Sequence, residues 1–183
     1  TLIGLILAFG AAVQLRQLGV QIFVADLVGI SVSQEVGALI TAILLAGRTG
    51  AAFAAQLGSM QVNEEIDALT TAGIPPVQFL VLPRMLALIL ITPVLTIYTD
   101  LFGIIGGGLV AVTVLDLSLT TYVTRLIEVV TITDFLMGLV RASVFGVLIA
   151  LAGCLRGMQA GRSASGVGLA TTSAVVTSIV LTI

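Results

Sequence analysis

Long apolar segments separated by short polar connections constrain the fold of this sequence more than any other feature. Spans are predicted at residues 2–13, 36–57, 86–110, 135–155 and 167–183. A helix that crosses a bilayer needs about 20 predominantly apolar residues, and the first of these segments is shorter than that. The pattern predicts an all-α integral membrane protein with about five transmembrane helices. Residues 18–30 are apolar enough either to lie at a membrane interface or to extend a neighbouring span.

Composition excludes several classes of function. Of 183 residues, 58% are hydrophobic and only 9% are charged, whereas soluble domains have about 25% charged residues. The net charge of −2 and the absence of a basic run argue against a nucleic-acid partner. Lysine and histidine are absent, which removes a Walker A lysine, a Ser-His-Asp triad and most metal chemistry. Cys154 is the single cysteine, so a disulfide framework is not possible within this sequence. Because these residue types are missing, we expect neither catalysis nor a cofactor on this chain.

The segment Ser59–Arg84 is the most polar part of the sequence and lies between two predicted spans. A short helix is predicted there, with Asn63 as its N-cap and with Gly73, Pro75 and Pro76 at its end. Its first turn contains the carboxylates Glu64, Glu65 and Asp67, and its apolar face contains Val62, Ile66 and Leu69. We interpret it as a docking element for a soluble partner. The alternative is a solvated loop helix whose acidic residues only cap it.

The second predicted span has a small residue at every fourth position. Such a ridge lets another helix backbone approach closely, either within the chain or at a subunit interface, and both alternatives stay open. The ridge consists of Ala38, Ala42, Ala46, Gly50, Ala54 and Gly58. Residues 103–108 contain four glycines, which predict a second close crossing or a flexible point in the third span.

Three charged residues, Arg48, Asp100 and Arg141, fall within predicted spans. Charges in a membrane are costly and are usually paired, so we predict an intramembrane pair between Asp100 and Arg141. Glu35, preceded by Gln34, begins the second span. It is predicted either to line the mouth of a pathway or to cap the helix.

Arginine positions predict the orientation. The connections at 58–85 and 156–166 are expected to face the cytoplasm under the positive-inside rule. They contain Arg84, Arg156 and Arg162, whereas the opposite side has Arg16 and Arg125 diluted by five carboxylates.

From Glu35 onward the sequence resembles the MlaE-type permease family, the membrane subunits of ABC transporters that work with MCE-domain proteins. The resemblance lies in EVGALITAILLAGRTGAAFAAQLGSMQVNEEIDAL, GIPPVQFLVLPR, GIIGGGLV and GVGLATTSAVV, which together extend over most of the chain. It implies one permease domain over residues 1–183, in a bacterial inner membrane. The family's N-terminal interfacial helix and the end of its fifth span are not found, and because the sequence begins at Thr1 we expect a longer parent protein.

The resemblance also implies the partners and the site residues. The partners are an ABC ATPase subunit, an MCE-domain lipid-binding protein, a second permease copy and a phospholipid or related lipid. Residues 63–69 match the family's cytoplasmic coupling helix, and Glu35 matches an acidic residue near its lipid-binding cavity. The rival hypotheses are an ion-driven transporter or channel that uses Asp100 and Glu35 as proton sites, and a structural scaffold.

Overall fold

The computed structural model describes residues 1–17, 20 and 22–183, and no strand occurs among them. Of its helices, α2, α4, α6 and α7 are long and apolar enough to cross a membrane, and α1 is a shorter apolar helix. The fold is therefore that of an all-α, multi-pass membrane protein. The helices are α1 (Leu2–Gln17), α2 (Phe23–Val62), α3 (Glu65–Thr71), α4 (Val77–Thr113), α5 (Leu119–Val129), α6 (Ile132–Met158) and α7 (Ala164–Thr182).

The helix α2 begins well before the predicted start of the second span at residue 36. At 1.5 Å per residue its 40 residues extend over about 60 Å, twice the thickness of a hydrocarbon core. The polar residues near 33–35 do not end it, because helical hydrogen bonding continues through them as π-helical turns at Val32–Val36. The sequence left two alternatives for residues 18–30, and residues 23–30 form the beginning of α2. Leu18, Gly19 and Gln21 lie outside the described residues.

Neither Pro93 nor the glycines at 103–108 break α4, which is continuous from Leu82 to Thr113 after π-helical turns at Val77–Val81. Large apolar side chains along this helix stay exposed, including Leu90 (71% exposed) and Leu101 (52% exposed). An apolar surface of this kind is unfavourable in water and is expected where lipid tails surround a helix.

The predicted polar connection at 116–134 contains α5, which hydropathy alone did not reveal. Ser118 begins it as an N-cap, since its hydroxyl accepts a hydrogen bond of 3.1 Å from the backbone N–H of Thr121. The overlooked signal is the helical spacing of its apolar residues, which are Leu119, Tyr122, Val123, Leu126 and Ile127.

The chain divides into two compact units, one comprising residues 1–40 and 93–141 and the other residues 41–92 and 142–183. Small and β-branched residues dominate the core of the first unit, at Ala8, Ala12, Val24, Val28, Val32, Val110 and Leu115. The core of the second unit contains Ala42, Leu45, Ala46, Leu88, Ile149 and Ala150. Small side chains allow the helix backbones within each unit to approach closely.

Candidate functional site

The start of α3 differs from the prediction. Asn63 ends α2, and Glu64 is the residue before α3, in the left-handed conformation with φ 59°. The predicted N-cap at Asn63 is therefore wrong, because the chain needs two non-helical residues to change direction between the helices. The Asn63 side chain instead donates a hydrogen bond of 3.1 Å to the Glu65 carboxylate. Glu65 and Asp67 do lie in the first turn, where they interact favourably with the helix dipole.

One face of α3 is anchored and the other is exposed. Ile66 is buried and Leu69 is half-buried, whereas Glu64 and Glu65 are exposed. Asp67 accepts a hydrogen bond of 2.8 Å from Arg162, in the connection between α6 and α7. Both partners remain about half exposed to solvent, so this ion pair contributes at most about 1 kcal/mol. Its effect is to link α3 to a second connection of the same unit.

The end of α3 is fixed by Gly73, as predicted. Gly73 has a φ of +77°, and the N–H of Ile74 reaches back to the carbonyl of Leu69 at 3.0 Å. A left-handed glycine with such a returning hydrogen bond is a common helix terminator. Pro75 and Pro76 then lead directly into α4.

A groove of about 350 Å³ lies beside α3. Its lining is mainly apolar with one carboxylate at its edge, from Met60, Glu65, Ala68, Leu69 and Phe79. Phe79 is 60% exposed there, although it is a large apolar side chain. This chemistry suits an apolar side chain from a partner with a basic group close by.

Arg84 joins α4 to α2 near this groove. Its guanidinium lies over the ring of Phe53 at 5.5 Å and donates to the side-chain oxygen of Gln56 at 3.4 Å. A displacement of α3 and the start of α4 would therefore reach α2 through these contacts.

A separate polar cluster in the first unit contains the predicted mouth residues. Gln34 donates to Asp134 at 2.5 Å, and Arg141 donates to the Glu35 carboxylate at 2.8 Å and to the Gln34 carbonyl at 3.1 Å. Arg141 thus pairs with Glu35, and the predicted Asp100–Arg141 pair is not formed. The physical reason is that helical hydrogen bonding continues through Val32–Val36, so Glu35 lies inside α2, where its carboxylate reaches Arg141 of α6.

Asp100 is only 3% exposed, and its Oδ1 atom has no hydrogen-bond partner among the residues that the structure describes. A buried carboxyl group without a full set of partners is costly and is therefore a candidate for a functional role.

All six residues of the predicted small-residue ridge are buried within the chain, with the four ridge alanines at most 1% exposed. Two later glycines of α6 pack directly on it, Gly153 against Gly50 and Gly157 against Ala54. The ridge therefore packs helices of the same chain together, which is one of the two alternatives that its spacing left open.

Sequence reasoning missed an ion pair between α5 and α2. Arg125 donates from two nitrogens to the two carboxylate oxygens of Asp26, at 2.8 and 2.9 Å. Asp26 and Arg125 are 99 residues apart in sequence, so no local pattern indicates the pair. In the described part of the chain, no group of three or more His, Cys, Asp or Glu side chains is placed to hold a metal ion.

The sequence is similar to those of several known membrane-transport proteins. The chain is 38% identical to a probable ABC transporter permease protein of Rickettsia felis, over 97% of this chain and 69% of that protein. It is 33% identical to another of Synechocystis, over 97% and 67% respectively. It is also 32% identical to the chloroplast protein TRIGALACTOSYLDIACYLGLYCEROL 1 of Arabidopsis thaliana, over 98% of this chain and 51% of that protein. The profile of the Permease MlaE family matches residues 1–183, and the chain belongs to that family.

Proposed function

We propose that this chain is the membrane subunit of an ABC transporter that moves phospholipid or a related hydrophobic lipid between membranes. ATP is hydrolysed on a separate ATPase subunit, and an MCE-domain protein exchanges lipid with the transporter outside the membrane. The observation that supports this most directly is α3, a short acidic helix anchored by one buried residue between two membrane spans of a permease-family chain.

The first step is docking of the ATPase subunit on α3. The groove beside α3 provides an apolar floor with Glu65 at its edge, and the neighbouring Glu64 adds a second exposed negative charge. Charge of one sign around an apolar contact speeds the encounter and orients a basic partner. Because Ile66 is buried in the permease itself, a push on α3 is transmitted to the chain rather than absorbed by a loose loop.

The second step is transmission to the spans. Only residues 72–76 separate α3 from α4, and they include two prolines and the left-handed Gly73, so this connection is short and stiff. Arg84 then joins the start of α4 to Phe53 and Gln56 of α2. Closure of the ATPase subunits would in this way shift α2 and α4 together.

The lipid class is supported by two observations. The Arabidopsis relative is named after a galactolipid, and a galactolipid is a hydrophobic lipid with a polar headgroup. Within this chain, Gln34 and Glu35 provide an amide and a carboxylate at one polar cluster, with Glu35 68% exposed. These groups suit the hydrogen-bonding part of a lipid headgroup.

A second copy of the chain is proposed to cover the face of α2 opposite the ridge. Leu44 and Arg48 are exposed there, and Arg48 makes no hydrogen bond or ion pair with any residue that the structure describes. An arginine facing lipid tails is unfavourable, and a protein partner would remove that cost. Native mass spectrometry of the purified complex measures the number of permease copies. A single copy would contradict this part of the proposal.

The membrane is proposed to be the bacterial inner membrane, with α3 in the cytoplasm. Arg84, Arg156 and Arg162 lie in or beside the two connections assigned to that side, as the positive-inside rule expects.

The test uses the full complex, purified gently from native membranes and reconstituted. Mass spectrometry is expected to find an ABC ATPase, an MCE-domain protein and bound lipid. Ala68→Asp and Leu69→Asp place a carboxylate in the groove, and we expect each to abolish ATP-driven lipid transfer while the permease stays folded. Thr70→Asp, on the far side of α3, is the matched control for added charge and should retain transfer.

Lipid transfer that survives both Ala68→Asp and Leu69→Asp would disprove the docking role of α3.

The rival hypothesis of an ion-driven transporter is favoured by one observation, the buried and incompletely bonded carboxyl of Asp100. It requires transport that continues without ATP and stops when the proton gradient is collapsed. The ABC mechanism requires the reverse dependence.

A further inference from the structure

The helix α5 is too short to cross a membrane, since its 11 residues extend over about 16 Å. It follows α4 after residues 114–118 and precedes α6, and both of those helices are long enough to be spans. A helix with short connections to two spans is held close to the level at which those spans leave the hydrocarbon core.

One side of α5 is held firmly on its own unit. Tyr122 and Leu126 are 3% and 9% exposed, and the Tyr122 hydroxyl donates to the carbonyl of Ile104 in α4 at 3.1 Å. Burial raises the pKa of Tyr122 to about 12, further above the physiological range than the usual value for tyrosine. Arg125 donates two hydrogen bonds to the carboxylate of Asp26 in α2, and these bonds raise the pKa of Arg125.

A second apolar row on α5 is exposed. Leu119, Val123 and Ile127 recur at every fourth position and are 62%, 45% and 76% exposed. At about 100° per residue they lie next to the buried pair, whereas Thr124 and Glu128 lie on the opposite side. The apolar arc of α5 is therefore wider than the strip that its own unit covers.

The surroundings indicate what covers this exposed row. Apolar side chains are also exposed where α4 ends and where α6 begins, as at Leu109 (52%) and Ile132 (78%). Those side chains belong to membrane spans, so their surface faces lipid, and the row on α5 continues that surface along the chain. A helix with one apolar face and a polar opposite side is the kind that lies in a membrane interface.

We propose that α5 is an interfacial helix that inserts Leu119, Val123 and Ile127 into the lipid surface while Thr124 and Glu128 face water. The occupant of the exposed row is the acyl region of the membrane rather than a protein. Because Arg125 and Tyr122 fasten α5 to α2 and α4, the interfacial contact positions these two helices relative to the membrane surface. This inference depends on the multi-pass membrane fold and is independent of the ABC mechanism.

Site-specific fluorescence tests this placement. Single cysteines are introduced at Val123, Ile127 and Thr124 in the full-length protein, with Cys154 replaced by alanine, and each is labelled with an environment-sensitive fluorophore. The labelled complex is placed in nanodiscs of phosphatidylcholine and phosphatidylglycerol. Quenching is measured with brominated acyl chains in the lipid and, separately, with iodide in water.

We expect brominated lipid to quench the labels at 123 and 127 at least about threefold more than the label at 124, and iodide to show the opposite order. Strong iodide quenching at 127 would place the row in water and overturn the proposal. Protection of 127 from both quenchers would show that a protein covers the row, which also overturns it.

A second measurement avoids substitutions altogether. Lipids with a photoactivatable group on the acyl chain are incorporated with the unaltered protein, and labelled peptides are mapped by mass spectrometry. Labelling within residues 119–129 is expected at positions 119, 123 or 127. Labelling of the spans without any in this peptide would contradict the interfacial placement.

Discussion

Gly153→Ala tests whether the small-residue ridge works through direct contact between backbones. A Cβ atom at this position would lie 2.7 Å from the carbonyl oxygen of Gly50, 3.2 Å from its Cα and 3.3 Å from its carbonyl carbon. Ordinary contact begins at about 3.4 Å, so the new methyl group is about 0.7 Å too close to the Gly50 oxygen. All three contacting atoms are backbone atoms, and no change of side-chain rotamer relieves them.

The expected cost follows from these contacts. Overpacking a well-packed core costs about 1–3 kcal/mol, and a contact with rigid backbone belongs at the upper end of that range. Alanine in a helix regains about 1 kcal/mol relative to glycine. The net destabilisation is about 1–2 kcal/mol, which corresponds to a fall of about 2–8 °C in the unfolding temperature for a chain of this size.

The assay measures thermal unfolding of the full-length protein in detergent. Samples are heated to a series of temperatures, and size-exclusion chromatography measures the fraction that remains folded. The matched control is Gly168→Ala in α7, where an added Cβ meets no atom within 4 Å. That variant has the helix gain without the clash, so its unfolding temperature should stay the same or rise. An unfolding temperature of Gly153→Ala that equals or exceeds that of Gly168→Ala would refute the backbone-contact argument.

Two further substitutions test α3 and α5. Gly73→Ala places a side chain at a φ of +77° without a steric contact. We expect it to lower the free energy of unfolding by about 1 kcal/mol through backbone strain alone, measured as a lower unfolding temperature. An unchanged temperature would show that the turn relaxes. Tyr122→Phe removes the hydrogen bond to the Ile104 carbonyl and should cost about 1 kcal/mol, or about 2–4 °C, whereas no change would mean that this bond contributes nothing net.

The sequence predicted the helix class and the position of α3 because both depend on local patterns. Apolar runs of span length determine which segments enter lipid, and Gly73 with two prolines determines where α3 ends. The boundaries of α2 were predicted less well. Hydropathy reports which side chains favour lipid, whereas a helix continues through polar residues as long as their backbone groups remain bonded.

Spacing alone did not distinguish the two uses of the ridge from Ala38 to Gly58. Small residues at every fourth position permit a close approach of helices but do not identify the approaching helix. The same limit applies to α5, whose helical period was visible in the sequence while the division of its apolar arc into a buried and an exposed part was not.

By itself, the sequence determined that this protein is a helical membrane protein with an acidic helix between two of its spans. The tertiary structure decided which charges meet: Arg141 with Glu35 instead of Asp100, and Arg125 with Asp26, 99 residues away. An ion pair forms only where two helices bring side chains within about 4 Å of each other. That distance depends on how the helices pack, and the packing depends on contacts between segments far apart in sequence.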